Sequence, residues 1–277
     1  MTPDQPLTIY EVRALDSAAF DLFETSDPMT LLGKPLAGLH WEADFAFLFF
    51  KGEPGEAADD FLKKHPNLEL RQVHNLTYAQ WQDGAGFEPF QAGGLTVTGP
   101  HEAAAGPHVI IDPGLAFGFG GHPTTRACLD FLGRVCRSPE GPPKEALDLG
   151  SGTGILSLAA AVLGVEKAFG VDYSHMAVAA SLDNLALNHL ADRVEFVRDS
   201  ALNHACRRAG LLMANLNLAL QRELFAAGAF EARRWIIVSG LLTSEGEKFL
   251  EMVSPLPLKL TDQIRTDRWT TILMEPK

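Results

Sequence analysis

The chain has 277 residues, 46% hydrophobic and 21% charged, with 25 Gly and 17 Pro, which excludes a disordered or low-complexity polypeptide and leaves enough apolar side chains for a sizeable core. Acidic residues outnumber basic ones 35 to 23 for a net charge of −12, so the global field repels bare nucleic acid and attracts a basic partner. Three cysteines without a CxxC pair signal neither a disulfide framework nor a zinc site, and neither a leader pattern nor a membrane-length apolar run is legible. A reduced, cytoplasmic, monomeric chain is the expectation, and at roughly 150 residues per domain it should divide in two.

In chain order, residues 7–74 alternate strand-like and helix-like pieces: strand 7–14, helix 18–26, strands 39–43 and 45–52, helix 56–65, strand 68–74. That βαββαβ order predicts a small ferredoxin-like α+β domain over 1–76, a size and topology suited to recognition. Residues 77–106 set Tyr78, Trp81, Phe87 and Phe90 among Gly and Pro, which reads as a linker helix followed by short connecting strands. From Glu145 onward, short apolar strands alternate with helix-length segments, the pattern of an α/β domain, bounded at 107–277, with a Rossmann-like parallel sheet. Its last two strands lack a helix between them and meet at Thr266, Asp267 and Arg268, which predicts an antiparallel edge hairpin.

The strongest chemical signal is the run Asp148, Leu149, Gly150, Ser151, Gly152, Thr153, Gly154 between a strand and a helix, with Asp172 ending the next strand. Glycines there let a ligand approach the backbone. A dinucleotide fingerprint needs its third glycine at 155, which is Ile155. The turn therefore suits a nucleoside without phosphates, S-adenosyl-L-methionine being one, with Asp172 accepting from the ribose hydroxyls. An ordinary tight βα turn would also use such glycines. Asp199, ending the third strand, reads either as a contact to the adenine edge or as a solvated loop acid.

Upstream, the segment from Asp112 to Thr125 places four glycines around Phe117 and Phe119, then His122, Pro123, Thr124 and Thr125 at a helix start. One reading is a lid over a ligand carboxylate bound by Thr125; the other is a flexible loop capped by Thr124 or Thr125, with His122 as a hinge hydrogen-bonder. Asn215, ending the fourth strand, would face the crevice of a doubly wound sheet and accept from an amine, or serve only as a turn residue. The histidines form no HExxH pair, so no metal is expected.

Taken in order, DPGLAFGFGGHPTT, DLGSGTG, GVD and ANLNLAL make the chain resemble the PrmA family, methyltransferases of large-subunit ribosomal protein eleven. The resemblance extends over nearly the whole chain and implies a class I methyltransferase domain behind an N-terminal domain that presents a basic ribosomal protein. It implies S-adenosyl-L-methionine contacts at Thr125, Gly150, Asp172 and Asn215, to which the turn and strand readings add Gly152 and Asp199. In the reaction so implied, Asn215 orients the acceptor amine while Phe117 shields it. Where the family usually reads GTGTH, this chain has Gly118 to His122 as GFGGH, and Leu216, Asn217, Leu218 replace the usual residues after Asn215. Another protein lysine or a small molecule as acceptor, and binding of the nucleoside without transfer, stand as alternatives.

Overall fold

A computed structural model describes residues 4–16, 36–42, 45–77, 89–100, 102–112 and 122–277. These form two compact units, one of Met1–Glu88 with Ser174–Met176 and one of Pro89–Tyr173 with Ala177–Lys277.

In the first unit, strands β1 (Pro6–Ala14), β2 (Leu36–Glu42), β3 (Phe45–Lys51) and β4 (Leu68–Thr77) lie in the order β2-β3-β1-β4, every neighbour antiparallel. This is the sheet order of a ferredoxin-like unit. The helix expected at 56–65 is α1 (Gly55–Lys64); the one expected at 18–26 lies outside the described residues. Ala58 and Phe61 bury one stripe of α1 on Tyr10, Val12, Leu48 and Phe50, while Asp60 and Lys63 stay exposed on the other. Strand β2 starts earlier than the expected 39–43, because Leu36 and Gly38 already pair with Phe50 and Phe49 across a register shift. Such pairing is a long-range effect that local composition does not encode.

The second unit is built on a seven-stranded sheet: β8 (Glu145–Leu149), β9 (Lys167–Asp172), β10 (Val194–Arg198), β11 (Leu211–Asn215), β12 (Trp235–Leu242), β13 (Leu258–Arg265) and β14 (Trp269–Pro276). The order is β10-β9-β8-β11-β12-β14-β13, parallel through β12. The closing hairpin is antiparallel, with β14 against β12 and β13 at the edge. Strands buried on both faces account for their apolar runs: Leu147, Leu149, Val171, Leu212, Ala214, Ile236 and Val238 are all fully buried. Around them pack α2 (Pro123–Cys136), α3 (Ile155–Val162), α4 (His175–Asn188), α5 (Leu218–Ala226) and α6 (Gly246–Val253). Chain direction across the sheet reverses between β8 and β11, which opens the ligand crevice of this topology at their C-terminal ends.

Ahead of that sheet, β5 (Phe90–Ala92) and β6 (Leu95–Thr98) form a hairpin, and β7 (His108–Ile110) runs parallel to β6. The hairpin turn is fastened to α2: Gly93 N–H donates to Asp130 at 2.7 Å and Arg137 donates to the Gly93 carbonyl at 2.7 Å. The helix expected before these strands falls in 78–88, outside the described residues. All three cysteines are free thiols, Cys128 and Cys136 buried and Cys206 exposed.

Candidate functional site: a glycine turn at the sheet crossover

Strand β8 ends in a turn that only small residues permit. Gly150 has φ +78°, and a Cβ there would lie 2.5 Å from Leu216 Cδ2, so the turn and the segment after Asn215 are in contact. The amides of Gly150 and Ser151 both donate to the Val171 carbonyl, at 2.8 and 3.0 Å, and fold the turn onto the end of β9. Gly152 N–H then donates to Asp172 Oδ2 at 2.9 Å. Ile155, where a dinucleotide site would have glycine, is the first residue of α3 and is 2% exposed. A branched side chain thus stands where the dinucleotide turn uses glycine for close packing of helix on strand.

Beneath the turn, Asp148 is fully buried and accepts from Ser157 Oγ at 2.8 Å, while its Oδ1 has no partner among the described residues. Burial pushes this carboxyl up to about 7; the Ser157 bond opposes the shift and the charge of Asp172 adds to it.

Asp199 follows β10 beside Asp172, its amide donating to the Asp172 carbonyl at 3.1 Å. Its carboxylate, however, is taken up by its own loop. It accepts from Ser200 N–H (2.7 Å) and Asn203 (2.8 Å), and pairs with His204 Nε2 at 2.9 Å. The bonds from Asn203, His204 and Ser200 hold it below the usual carboxylate range.

On the other side of the crossover, half-buried Asn215 donates through Nδ2 to Thr124 Oγ1 at 3.2 Å, and Thr124 Oγ1 bonds to His122 Nδ1 at 2.7 Å. Donation running from Asn215 through Thr124 to His122 Nδ1 satisfies each atom and leaves Asn215 Oδ1 without a partner among the described residues. The cap of α2 is His122, which accepts from Thr124 N–H at 3.4 Å ahead of Pro123; neither threonine caps the helix, as Pro123 sets the first turn one residue earlier. The His122 ring packs edge-on to Trp269 at 4.9 Å, and burial lowers its pKa. Thr125 is not the open donor expected at a helix start, since its amide donates to the His122 carbonyl at 3.1 Å. Its buried Oγ1 has no partner among the described residues.

The backbone that presents Asn215 is braced from behind. Buried Gln221 donates to the carbonyls of Ala214 (2.9 Å), Leu216 (3.3 Å) and Ser239 (3.4 Å). Gly240 (φ +77°) makes room for Leu216, whose backbone oxygen would lie 2.7 Å from a Cβ. Asn217 is the N-cap of α5, accepting from Leu220 N–H at 3.0 Å.

The structure therefore brings Thr125, Gly150, Gly152, Asp172 and Asn215 to one rim of the sheet, with Asp199 beside them but bonded to its own turn. Phe117 and the 118–121 segment lie outside the described residues. Gln221 and Gly240 were not singled out from sequence, and Thr124 figured there only as a possible helix cap; an isolated glycine inside strand β12 was the signal pointing at Gly240. Chemically, the rim offers a glycine-rich backbone turn, a strand-end carboxylate, an orphaned hydroxyl and an amide oxygen. This donor and acceptor set fits S-adenosyl-L-methionine: polar groups for a ribose, a carboxylate and an ammonium, with no phosphate cradle among the described residues. Among the described residues no three His, Cys, Asp or Glu cluster as metal ligands, and no helix is long and apolar enough to cross a membrane.

The sequence pattern of the ribosomal protein L11 methyltransferase (PrmA) family matches residues 55–277. A protein of Geobacter sp. (strain M21) named ribosomal protein L11 methyltransferase is 40% identical over 51% of this chain and 47% of its own length. One of the same name from Geotalea uraniireducens (strain Rf4) is 31% identical over 94% of this chain and 86% of its own. The chain thus spans about half of the first relative and most of the second. The fold is similar to that in the crystal structure of the ribosomal protein L11 methylase of Lactobacillus delbrueckii subsp. bulgaricus, with a TM-score of 0.58 at 24% identity, over 66% of this chain and 95% of that one. With the family pattern covering most of its length and the Geotalea protein aligned nearly end to end, the chain belongs to the ribosomal protein L11 methyltransferase (PrmA) family.

Proposed function

We propose that the protein transfers methyl groups from S-adenosyl-L-methionine to amino nitrogens of ribosomal protein L11, in the cytoplasm. The observation that carries this reading is the glycine turn held by Asp172 across a 2.9 Å bond, with the partnerless Asn215 oxygen on the facing strand end. Asp172 would accept from the ribose hydroxyls and Thr125 Oγ1 would donate to the methionyl carboxylate. When bound, the nucleoside supplies a methyl carbon on a sulfonium, open to displacement by a neutral amine.

The chain's own work is then alignment and exclusion of water, since an in-line displacement needs no protein nucleophile. Asn215 Oδ1 accepts from an N–H of the incoming amine and turns its lone pair toward the methyl group, while Gln221 and Gly240 keep the strand end from yielding. Phe117 is assigned the role of shield. The amine must first lose a proton to water, which costs a lysine roughly 4 to 5 kcal/mol at pH 7 and an α-amine about 1. The net charge of −12 favours a basic acceptor protein. The test is incubation with methyl-labelled donor and purified L11: label in L11, lost in Asn215→Ala, is expected, and labelling of no L11 nitrogen rejects the proposal.

A further inference from the structure

Strand β7 pairs with β6 along one edge only: Thr96 N–H donates to the Pro107 carbonyl and Ile111 N–H to the Thr98 carbonyl, at 3.0 and 2.8 Å. The alternate backbone groups, those of Ile110 and Asp112, face away from β6 and would be a bare strand edge. Two asparagines of α4 complete them. Asn184 Oδ1 accepts from Asp112 N–H at 2.8 Å and its Nδ2 donates to the Asp112 carbonyl at 3.1 Å. Asn188 Oδ1 accepts from Ile110 N–H at 2.8 Å and its Nδ2 donates to the Ile110 carbonyl at 2.6 Å. The fit is metric: four residues of helix rise about 6.0 Å and two of strand about 6.6 Å. Side chains at i and i+4 therefore reach successive outward-facing peptide groups, and each amide reproduces the donor and acceptor of a strand partner.

The two asparagines differ in where their remaining hydrogen goes. Asn188 sends it to the Asn184 carbonyl, at 2.8 Å within its own helix. Fully buried Asn184 sends it to the Thr153 carbonyl at 3.0 Å, inside the glycine turn. One side chain thus ties the strand that leads into the 113–121 segment to the turn whose next amide toward the N-terminus is held by Asp172.

We propose that Asn184 is a positioning residue for the nucleoside turn, setting the distance between the turn and the Ile110–Asp112 backbone, whereas Asn188 secures the strand alone. The ligand half of this assignment rests on the function proposed above; the backbone half does not. Asn184→Asp keeps the bond from Asp112 N–H but replaces both donated bonds by a repulsion between oxygens, and Asn184→Leu removes all three. Asn188→Asp and Asn188→Leu are the matched controls one turn away.

In the ligand-free protein, amide exchange at Gly152 and Gly154 should accelerate about tenfold in both Asn184 variants and less than twofold in both Asn188 variants. Exchange at Ile110 should accelerate in the Asn188 pair. The dissociation constant for S-adenosylhomocysteine should rise about tenfold with Asn184 and less than twofold with Asn188. Equal effects at the two positions, unchanged exchange at Gly152 in the Asn184 variants, or Asn184 variants that do not fold beside Asn188 variants that do, would each overturn the assignment. If wild-type protein fails to bind S-adenosylhomocysteine, the function proposed above falls, and the exchange contrast still decides the role of Asn184.

Discussion

Asp172 ends β9 and Asp199 follows β10 on the neighbouring strand, its amide bonded to the Asp172 carbonyl, and sequence makes them look alike. Their surroundings make them different. Asp172 reaches forward to the glycine turn, whereas Asp199 is drawn back by Ser200, Asn203 and His204 onto the 3₁₀ turn that follows it. The loop after Asp199 reads Ser, Ala, Leu, Asn, His and supplies its carboxylate with three donors within five residues.

The sharpest way to break this contrast is to remove each acid in turn. Asp172→Ala should raise the dissociation constant for S-adenosylhomocysteine by on the order of 10³, as two charge-assisted bonds to ribose hydroxyls are lost along with the grip on Gly152. Across the crossover, Asn215→Ala should lower kcat on L11 about 100-fold while changing nucleoside affinity less than tenfold, as measured by calorimetry beside initial rates.

Buried Asp148 gives a third outcome. Its native carboxyl keeps a proton up to about 7, against 3.8 for a solvated one, so at this group the native state holds more protons than the unfolded chain between these limits. Its contribution to stability then falls as pH rises from about 4 to 7 and levels off above, and Asp148→Asn should remove that component and gain up to about 4 kcal/mol at pH 8, by urea unfolding. Thr124→Val, which cuts Asn215 from His122, should cost about tenfold in kcat with little change in melting temperature. Smallest in binding is Asp199→Ala, with less than a threefold change in nucleoside affinity by calorimetry. Its depressed carboxyl contributes stability above about pH 4 that is lost as pH falls through the lowered native value, so this variant should lose part of its acid unfolding step.

Much of this architecture was legible because period and punctuation agree. Short apolar stretches alternating with helix-length segments made parallel strands, and the missing helix before Trp269 made the hairpin. Gly150, Gly152 and Asp172 were legible for the same reason, since a left-handed turn admits few residues. What escaped depends on distance in the chain. Nothing near Asn184 announces that it bonds to Asp112, 72 residues away, and nothing near Thr124 announces Asn215, 91 residues away. His122 as the helix cap was hidden by two better capping residues after it, which Pro123 displaced inward.

The central claim is that this rim holds a phosphate-free sulfonium nucleoside by Asp172 and the glycine turn. Titration of the purified protein with S-adenosylhomocysteine and, separately, with a nicotinamide dinucleotide tests it most directly. Saturable heat with the first alone, abolished in Asp172→Ala, is the predicted result; heat with the dinucleotide alone, or binding indifferent to Asp172, would contradict it.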